Sequence, residues 1–373
     1  MRVSGQALPL GRYWGKKSPE LVRQFLGECD YVVVDPFGGA GTIVHEALRL
    51  GRRVIYSEIN PYAWLIAYVA IAGAPRDEFL EVARNVLTTA MSIEGRVRRR
   101  VLPRDWLRYR DGKWFLKRRN GYRISDFFPR ENIRRLAALL RAIDQADASI
   151  NTRMALYLAF SNAIHLASLM RRPGGGAWAV PSYWIGNVNE PLNAYEAFSR
   201  VIKRFGAALH EPVNVCHSMN CGDVVLLLED ALRLKYEAGW TLITDPPFGD
   251  NIQYMELSFF YWAWLRISEL PRLMGRLLGK KRITYPFSKE LVINRNRGFT
   301  REYYLNRLGI FLEKTSNMRR RILIFDGEDK SLIKAIRKLI GNYWGNYREY
   351  MVKVDENRRI GAGRGVTYLV FES

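Results

Sequence analysis

Tyr31-Val32-Val33-Val34-Asp35-Pro36-Phe37-Gly38-Gly39-Ala40-Gly41-Thr42 decides the fold. Four β-forming residues in succession suit a short parallel strand buried on both faces. The strand ends at Asp35, and the glycine-rich turn after it lets backbone N–H groups and a close chain approach face a ligand where the next helix begins. Upstream, Ser18-Pro19-Glu20 supplies an N-cap and a proline at the first helical position. Downstream, residues 43–51 (IVHEALRLG) have helical spacing and a glycine stop, 52–58 (RRVIYSE) read as a second strand, and 61–73 (PYAWLIAYVAIAG) as a second helix. This βαβα run with short turns predicts a doubly wound, Rossmann-like α/β sheet.

The alternation then lapses for about 140 residues and resumes near Val213. Val213 to His217 reads as a strand, and Gly222-Asp223 as the opening of a helix over 224–236. Thr241 to Thr244 is a strand ending in Asp245-Pro246-Pro247-Phe248. A helix around Leu257 to Ile267, a strand Ile322 to Phe325 and a helix over 331–340 follow. Tyr347 to Val354 and Thr367 to Phe371 suit a hairpin closing the sheet. The core is therefore expected in two parts, 1–72 and 213–373, around a mainly helical insertion at 73–212 that would recognise the target.

Lys plus Arg number 58 against 37 Asp plus Glu in 373 residues, a formal net charge of +21. Such an excess points to polyanionic partners. Apolar residues at 48% suffice for a packed core, and no run approaches the ~20 apolar residues of a bilayer-spanning helix. The N-terminus lacks the pattern of a secretory leader, so a cytoplasmic protein without membrane contact is expected. Cys29, Cys216 and Cys221 form no CxxC pair, and no metal is assigned. Between Arg96 and Arg119 eleven basic residues meet two acidic ones, interleaved with Trp106, Tyr109, Trp114 and Phe115. Arg98, Arg99, Arg100, Arg104 and Trp114 are candidates for phosphate and base contacts; a hairpin with its aromatics in the core is the equal alternative. Arg171 and Arg172, ahead of Gly174-Gly175-Gly176-Ala177-Trp178, are a further candidate for strand binding, or the start of a linker.

Two turns carry the chemistry. Glu58 ends the second strand, seventeen residues after Gly41, where a carboxylate can accept from both hydroxyls of a ribose. Val44 replaces the last glycine of GxGxxG, so this turn alone leaves the cofactor open between nicotinamide and other adenosine-containing groups. Asp245-Pro246-Pro247-Phe248 narrows it. Exocyclic amines of bases are poor nucleophiles because their lone pair is delocalised into the ring. A carboxylate, and a carbonyl fixed by consecutive prolines, can accept both N–H bonds and aim the lone pair at a methyl donor, while an aromatic ring stacks on the extruded base.

These two turns together resemble the nucleic-acid amino-methyltransferases, the S-adenosylmethionine-dependent enzymes that make N6-methyladenine or N4-methylcytosine. The stretch 244–266 and Arg12-Tyr13-Trp14-Gly15-Lys16-Lys17 are similar to proteins labelled adenine-specific DNA methylase. The resemblance covers about residues 10–72 and 213–330. It implies a class I methyltransferase sheet with S-adenosyl-L-methionine held by Tyr13, Trp14, Lys16, Asp35, Pro36, Phe37, Gly38, Gly39, Gly41, Thr42, Glu58 and Asn60, with Asp223 facing the adenine amino group. It implies catalytic roles for Asp245, for Pro246 through its carbonyl, for Pro247 and for the stacking ring of Phe248, with Asn251 and Tyr254 as contacts to the target. Methyl transfer would be in-line without a covalent enzyme intermediate.

Phe248 stands where many relatives carry Tyr, and Asp245 leans towards adenine without excluding cytosine. The polymer is open between DNA and structured RNA such as rRNA. Alternatives are a tRNA guanine-N2 methyltransferase, a non-catalytic nucleic-acid-binding protein with this fold, and a nicotinamide oxidoreductase, which gives no reason for the Asp-Pro-Pro-Phe turn.

Overall fold

The computed structural model describes residues 10–27, 31–97, 103, 105–116, 120–174, 183–219, 222–354 and 366–373. Its first elements follow local chemistry. Helix α1 (Pro19–Arg23) is capped by Ser18, whose Oγ accepts from the Leu21 N–H at 3.1 Å. Strand β1 (Val32–Asp35), helix α2 (Thr42–Arg49), strand β2 (Arg53–Ser57) and helix α3 (Pro61–Ala72) come next. Asn60 caps α3 by accepting from the Tyr62 N–H at 3.0 Å, with Pro61 following it.

The lapse in alternation is filled by four long helices, α4 (Arg76–Ile93), α5 (Arg130–Asp144), α6 (Ile150–Leu166) and α7 (Ala194–Ala208). The sheet resumes with β3 (Val224–Leu227) and β4 (Thr241–Thr244). Helices α8 (Tyr254–Leu265), α9 (Leu270–Leu277) and α10 (Arg301–Lys314) lead to β5 (Arg320–Phe325), α11 (Lys330–Trp344), β6 (Arg348–Val354) and β7 (Val366–Glu372). The strand order is β3-β2-β1-β4-β5-β7-β6. The pairs among β3, β2, β1, β4 and β5 are parallel, and β7 runs antiparallel to β5 and β6. The chain therefore winds outward both ways from β1, and the switch between β1 and β4 leaves a crevice at their carboxyl ends.

Successive side chains of β1 enter opposite cores, as a pleated strand requires. Val33 joins a large cluster reaching through Trp64 and Trp264 to Leu139, Phe160 and Phe198, while Val34 joins a second with Leu242, Phe311, Ile336 and Trp344. Helices α3, α6 and α8 are apolar around most of their circumference because each is buried on nearly every side. The insertion thus shares one apolar core with the sheet.

One segment differs from the sequence expectation. Val213 to His217 forms no strand; it contributes a single bridge, Cys216 to Val225. The strand is Val224–Leu227, the stretch expected to begin a helix. A continuous apolar run fits a doubly buried strand and a buried helix alike, and pairing with β2 decides it. Among the described residues no helix is long and apolar enough to cross a membrane.

Candidate active site

At the carboxyl ends of β1 and β4 lies a cleft of about 910 Å³, counted with its opening to solvent. Asp35 to Ala40 and Thr42 of the first turn line it, with Glu58 and Asn60 after β2 and Asp245 and Pro247 after β4. Two glycines shape the first turn. Any side chain on Gly38 would run into the Tyr56 ring, and Gly41 turns the chain into α2 at φ +84° with Ala67 directly behind it. The Tyr56 hydroxyl donates to the Gly39 carbonyl at 2.7 Å and locks the turn against β2.

Glu58 is anchored from its own side of the cleft. One oxygen accepts from the Gly39 N–H at 2.9 Å, the other from the Ile59 and Asn60 N–H groups at 2.9 and 3.0 Å. Burial lifts its pKa to about 6 against the pull of those bonds. Asp35 accepts from the Thr244 hydroxyl at 2.6 Å and the Phe37 N–H at 3.3 Å. Burial, resisted by the Thr244 bond and aided by the Asp245 charge, lifts it to about 8.

Asp245 meets a cation. Lys17 Nζ stands 2.5 Å from its Oδ2, with 5% of the lysine side chain and 17% of the aspartate side chain exposed. The ammonium also lies 5.1 Å from the centre of the Tyr368 ring. Burial raises Asp245 to about 6, with Lys17 pulling down and Asp326 adding to the rise. The N-terminal segment that carries Lys17 lies over the cleft. Tyr13 stacks on Tyr254 at 5.6 Å, and Trp14 packs on Tyr261 at 6.4 Å. Tyr13, Trp14, Lys16 and Tyr254 all line the cleft.

Several expected residues lie elsewhere. Asp223 is exposed at the amino end of β3, where its carbonyl accepts from the Val54 N–H at 2.7 Å; once β3 takes 224–227, this aspartate falls at the far edge of the sheet. Asp230, Ala231 and Leu232, beyond the carboxyl end of β3, line the cleft instead. Asp230 accepts from the Leu232 N–H at 3.0 Å and pairs with Arg307 at 3.4 Å. The signal was an aspartate two residues past an apolar run, hidden by reading that run as helix.

Phe248 is not free to stack. Its ring is 7% exposed, packs edge-on against Phe325 at 5.8 Å and fills the space a side chain on Gly327 would take. Pro246 is likewise buried, so Asp245 and Pro247 are the members of the turn that reach the cleft. The Pro247 carbonyl accepts from the Tyr304 hydroxyl at 2.7 Å. Gly41 and Asn251 do not line the cleft either. Asn251 donates to the Asp326 carbonyl at 3.0 Å. Asn60 lines it while its side chain caps α3 and donates to Ser258 at 2.6 Å.

The basic-aromatic stretch divides. Tyr109 and Phe115 are buried, and the Tyr109 hydroxyl donates to Glu256. Trp106 and Trp114 are half-buried 6.0 Å apart, and the guanidiniums of Arg123 and Arg108 lie 4.1 and 5.1 Å from the Trp106 ring. Arg98, Arg99, Arg100 and Arg104 lie outside the described residues, as do residues 175–182 with Trp178. Arg171 is buried and committed to Glu190 at 2.9 Å, so it does not present its charge to a partner. Arg172 beside it is half-buried. Among the described residues no group of His, Cys, Asp and Glu could hold a metal ion. His217 packs on Tyr68 at 6.0 Å, with Nδ1 3.0 Å from the Leu226 carbonyl.

Comparisons with protein-family models, curated proteins and solved structures return no match for this chain.

Proposed function

We propose that this chain is an S-adenosylmethionine-dependent methyltransferase of the exocyclic amino group of a base in nucleic acid, N6 of adenine or N4 of cytosine. The observation that carries the reading is that Asp245 opens into the same cleft as the glycine turn and Glu58. The two turns are far apart in sequence and meet because β4 lies beside β1.

The lining suits the cofactor. Glu58 holds three backbone N–H groups, which fixes its orientation and leaves lone-pair capacity for a ribose hydroxyl. The adenine amine has Asp230 at the end of β3. The space is lined by the carboxyl groups of Asp35, Glu58, Asp230, Asp245 and Glu290 and by the cations Lys16, Lys17, Lys289 and Arg307. When bound, the cofactor supplies a methyl group on positively charged sulfur.

The chain's own residues do the rest. Asp245 accepts an N–H of the target amine and turns the nitrogen lone pair towards the methyl group. Lys17 holds that carboxylate ionised at neutral pH in spite of its burial. With Phe248 sealed in the core, the Tyr254 ring backed by Tyr13 is the aromatic face offered to a base. The amine's proton leaves to Asp245 or to water. Among the described residues the cysteine is Cys216, and it does not line the cleft.

The test is mass spectrometry of nucleosides from DNA and from rRNA incubated with the protein and labelled cofactor. Labelled N6-methyladenine or N4-methylcytosine is expected from one polymer. Label on neither polymer, or only on guanine N2, would overturn the reading.

A further inference from the structure

Beside the cleft, where the N-terminal segment meets helix α7 of the insertion, cations gather from two distant parts of the chain. Arg204 of α7 donates to Asn162 Oδ1 at 3.1 Å, and Asn162 Nδ2 donates in turn to the Leu10 carbonyl at 2.9 Å. Lys16, which lines the cleft, donates to the Gly11 carbonyl one residue further on. Arg12 and Arg204 both act electrostatically on Lys16, and Arg12 on Arg204. The surroundings are aromatic, with Tyr62 and Tyr261 feeling the Arg12 charge and Trp14 packed on Tyr261.

Among the described residues no carboxylate answers this cluster. The Lys16 ammonium bonds to a peptide carbonyl, the Arg204 guanidinium to a side-chain amide, and the charges that act on them are each other's. Burial and the two guanidiniums push Lys16 down to about 8. A folded chain that holds three like charges together leaves a place where an anion lowers the energy. Arg204 is exposed and Lys16 half-buried, so the site opens outward from the cleft.

We propose that Arg12, Lys16 and Arg204 form a phosphate site at the rim of the cleft, which takes a backbone phosphodiester of the polynucleotide whose base enters it. The inference rests on the function proposed above and gives that site its polymer contact. Phosphate contacts position a nucleic acid without reading its sequence, and this one ties the insertion to the catalytic cleft. It also reassigns Lys16 from the cofactor to the substrate backbone.

The probes are a fluorescently labelled single-stranded oligodeoxynucleotide and the matching oligoribonucleotide, titrated with the full chain over a range of salt concentrations. Loss of one phosphate contact lowers the slope of log affinity against log salt by about 0.7 for a single strand. Arg204→Gln and Lys16→Gln are each expected to weaken binding and lower the slope, and the double variant to lower it by about 0.7, with S-adenosylmethionine affinity unchanged in Arg204→Gln, whose side chain does not line the cleft. Arg204→Lys keeps the charge and is expected to keep the slope, which separates loss of charge from loss of folding. A slope unchanged in the double variant, where wild type binds the probe, would overturn the phosphate site alone. Loss of cofactor affinity with nucleic-acid binding intact would overturn it in favour of a site for the cofactor's carboxylate. Failure of the wild type to bind either probe would overturn the nucleic-acid substrate and the phosphate site together.

Discussion

Two neighbouring strands end alike, β1 in Asp35-Pro36-Phe37 and β4 in Asp245-Pro246-Pro247-Phe248, yet the two aspartates are held in opposite states. Asp35 is sealed, with hydrogen bonds from Thr244 and the Phe37 N–H and a pKa of about 8. It is a neutral strut at pH 7, tying the ends of the two strands together. Asp245 keeps an opening to the cleft and a lysine at 2.5 Å, which hold it near 6. The same dipeptide is a scaffold at the end of one strand and, two residues further along the neighbouring strand, the carboxylate proposed to hold the target amine. The difference comes from the opening to the cleft and from one cation supplied by the N-terminal segment.

The comparison is tested hardest by replacing each aspartate. Asp245→Ala is expected to cut methyl transfer by roughly 10²- to 10³-fold, the scale of removing one preorganised polar group at a reacting centre, with cofactor affinity near normal. Asp35→Asn should keep most activity, because an amide oxygen can still accept from Thr244 and Phe37. Equal losses in initial-rate assays would erase the distinction.

Glu58→Ala should act on binding instead. Losing a charged hydrogen bond costs about 1.5–3 kcal/mol, so calorimetric titration should find S-adenosylmethionine bound roughly 10- to 100-fold more weakly. Unchanged affinity would remove Glu58 from the cofactor site.

Lys17→Met sharpens the comparison, since it leaves Asp245, like Asp35, without a cation. The carboxylate is the active form, so the rate should rise with pH through about 6 in the wild type. Without the cation this acid limb should move up by about one unit or more, leaving activity depressed at pH 6.5 and largely recovered at pH 8.5. A uniform loss at every pH would mean that Lys17 only packs.

A separate effect is expected on stability. Asp35 ionises at 3.8 ordinarily and at about 8 in the folded chain. Between those values the folded chain holds a proton that the unfolded chain has released. Its contribution is therefore full below about pH 4 and lost as pH rises towards 8. Asp35→Asn cannot ionise, so denaturant unfolding should show a smaller drop in stability from pH 5 to pH 8.5 than wild type. An identical drop would contradict the neutral strut.

The parts of this site that follow from local chemistry were legible in the sequence. The first turn needed its glycines for the approach of Tyr56 and for a left-handed φ at Gly41, and those needs are written in the residues. The terminal hairpin showed itself as two β-forming runs, found at 348–354 and 366–372. What failed depended on partners distant in the chain. Val224 to Leu228 has no period to tell strand from helix, and its pairing with Val54 to Ser57 lies far upstream, so the sequence points to Asp223 where the cleft holds Asp230. Phe248 looked available for stacking until β5 brought Phe325 and Gly327 against it. Lys17 carried no sign of its carboxylate, because an ion pair across that many residues leaves no trace in spacing.

The claim that the two turns wall one cofactor site is tested most directly by ultraviolet crosslinking of labelled S-adenosylmethionine, followed by mapping of the labelled peptides. Label is expected on peptides containing residues 35–42 or Glu58 and on the peptide containing Asp245 and Tyr254, displaced by unlabelled cofactor and untouched by NAD. Label confined to other parts of the chain, or displaced by NAD, would contradict it.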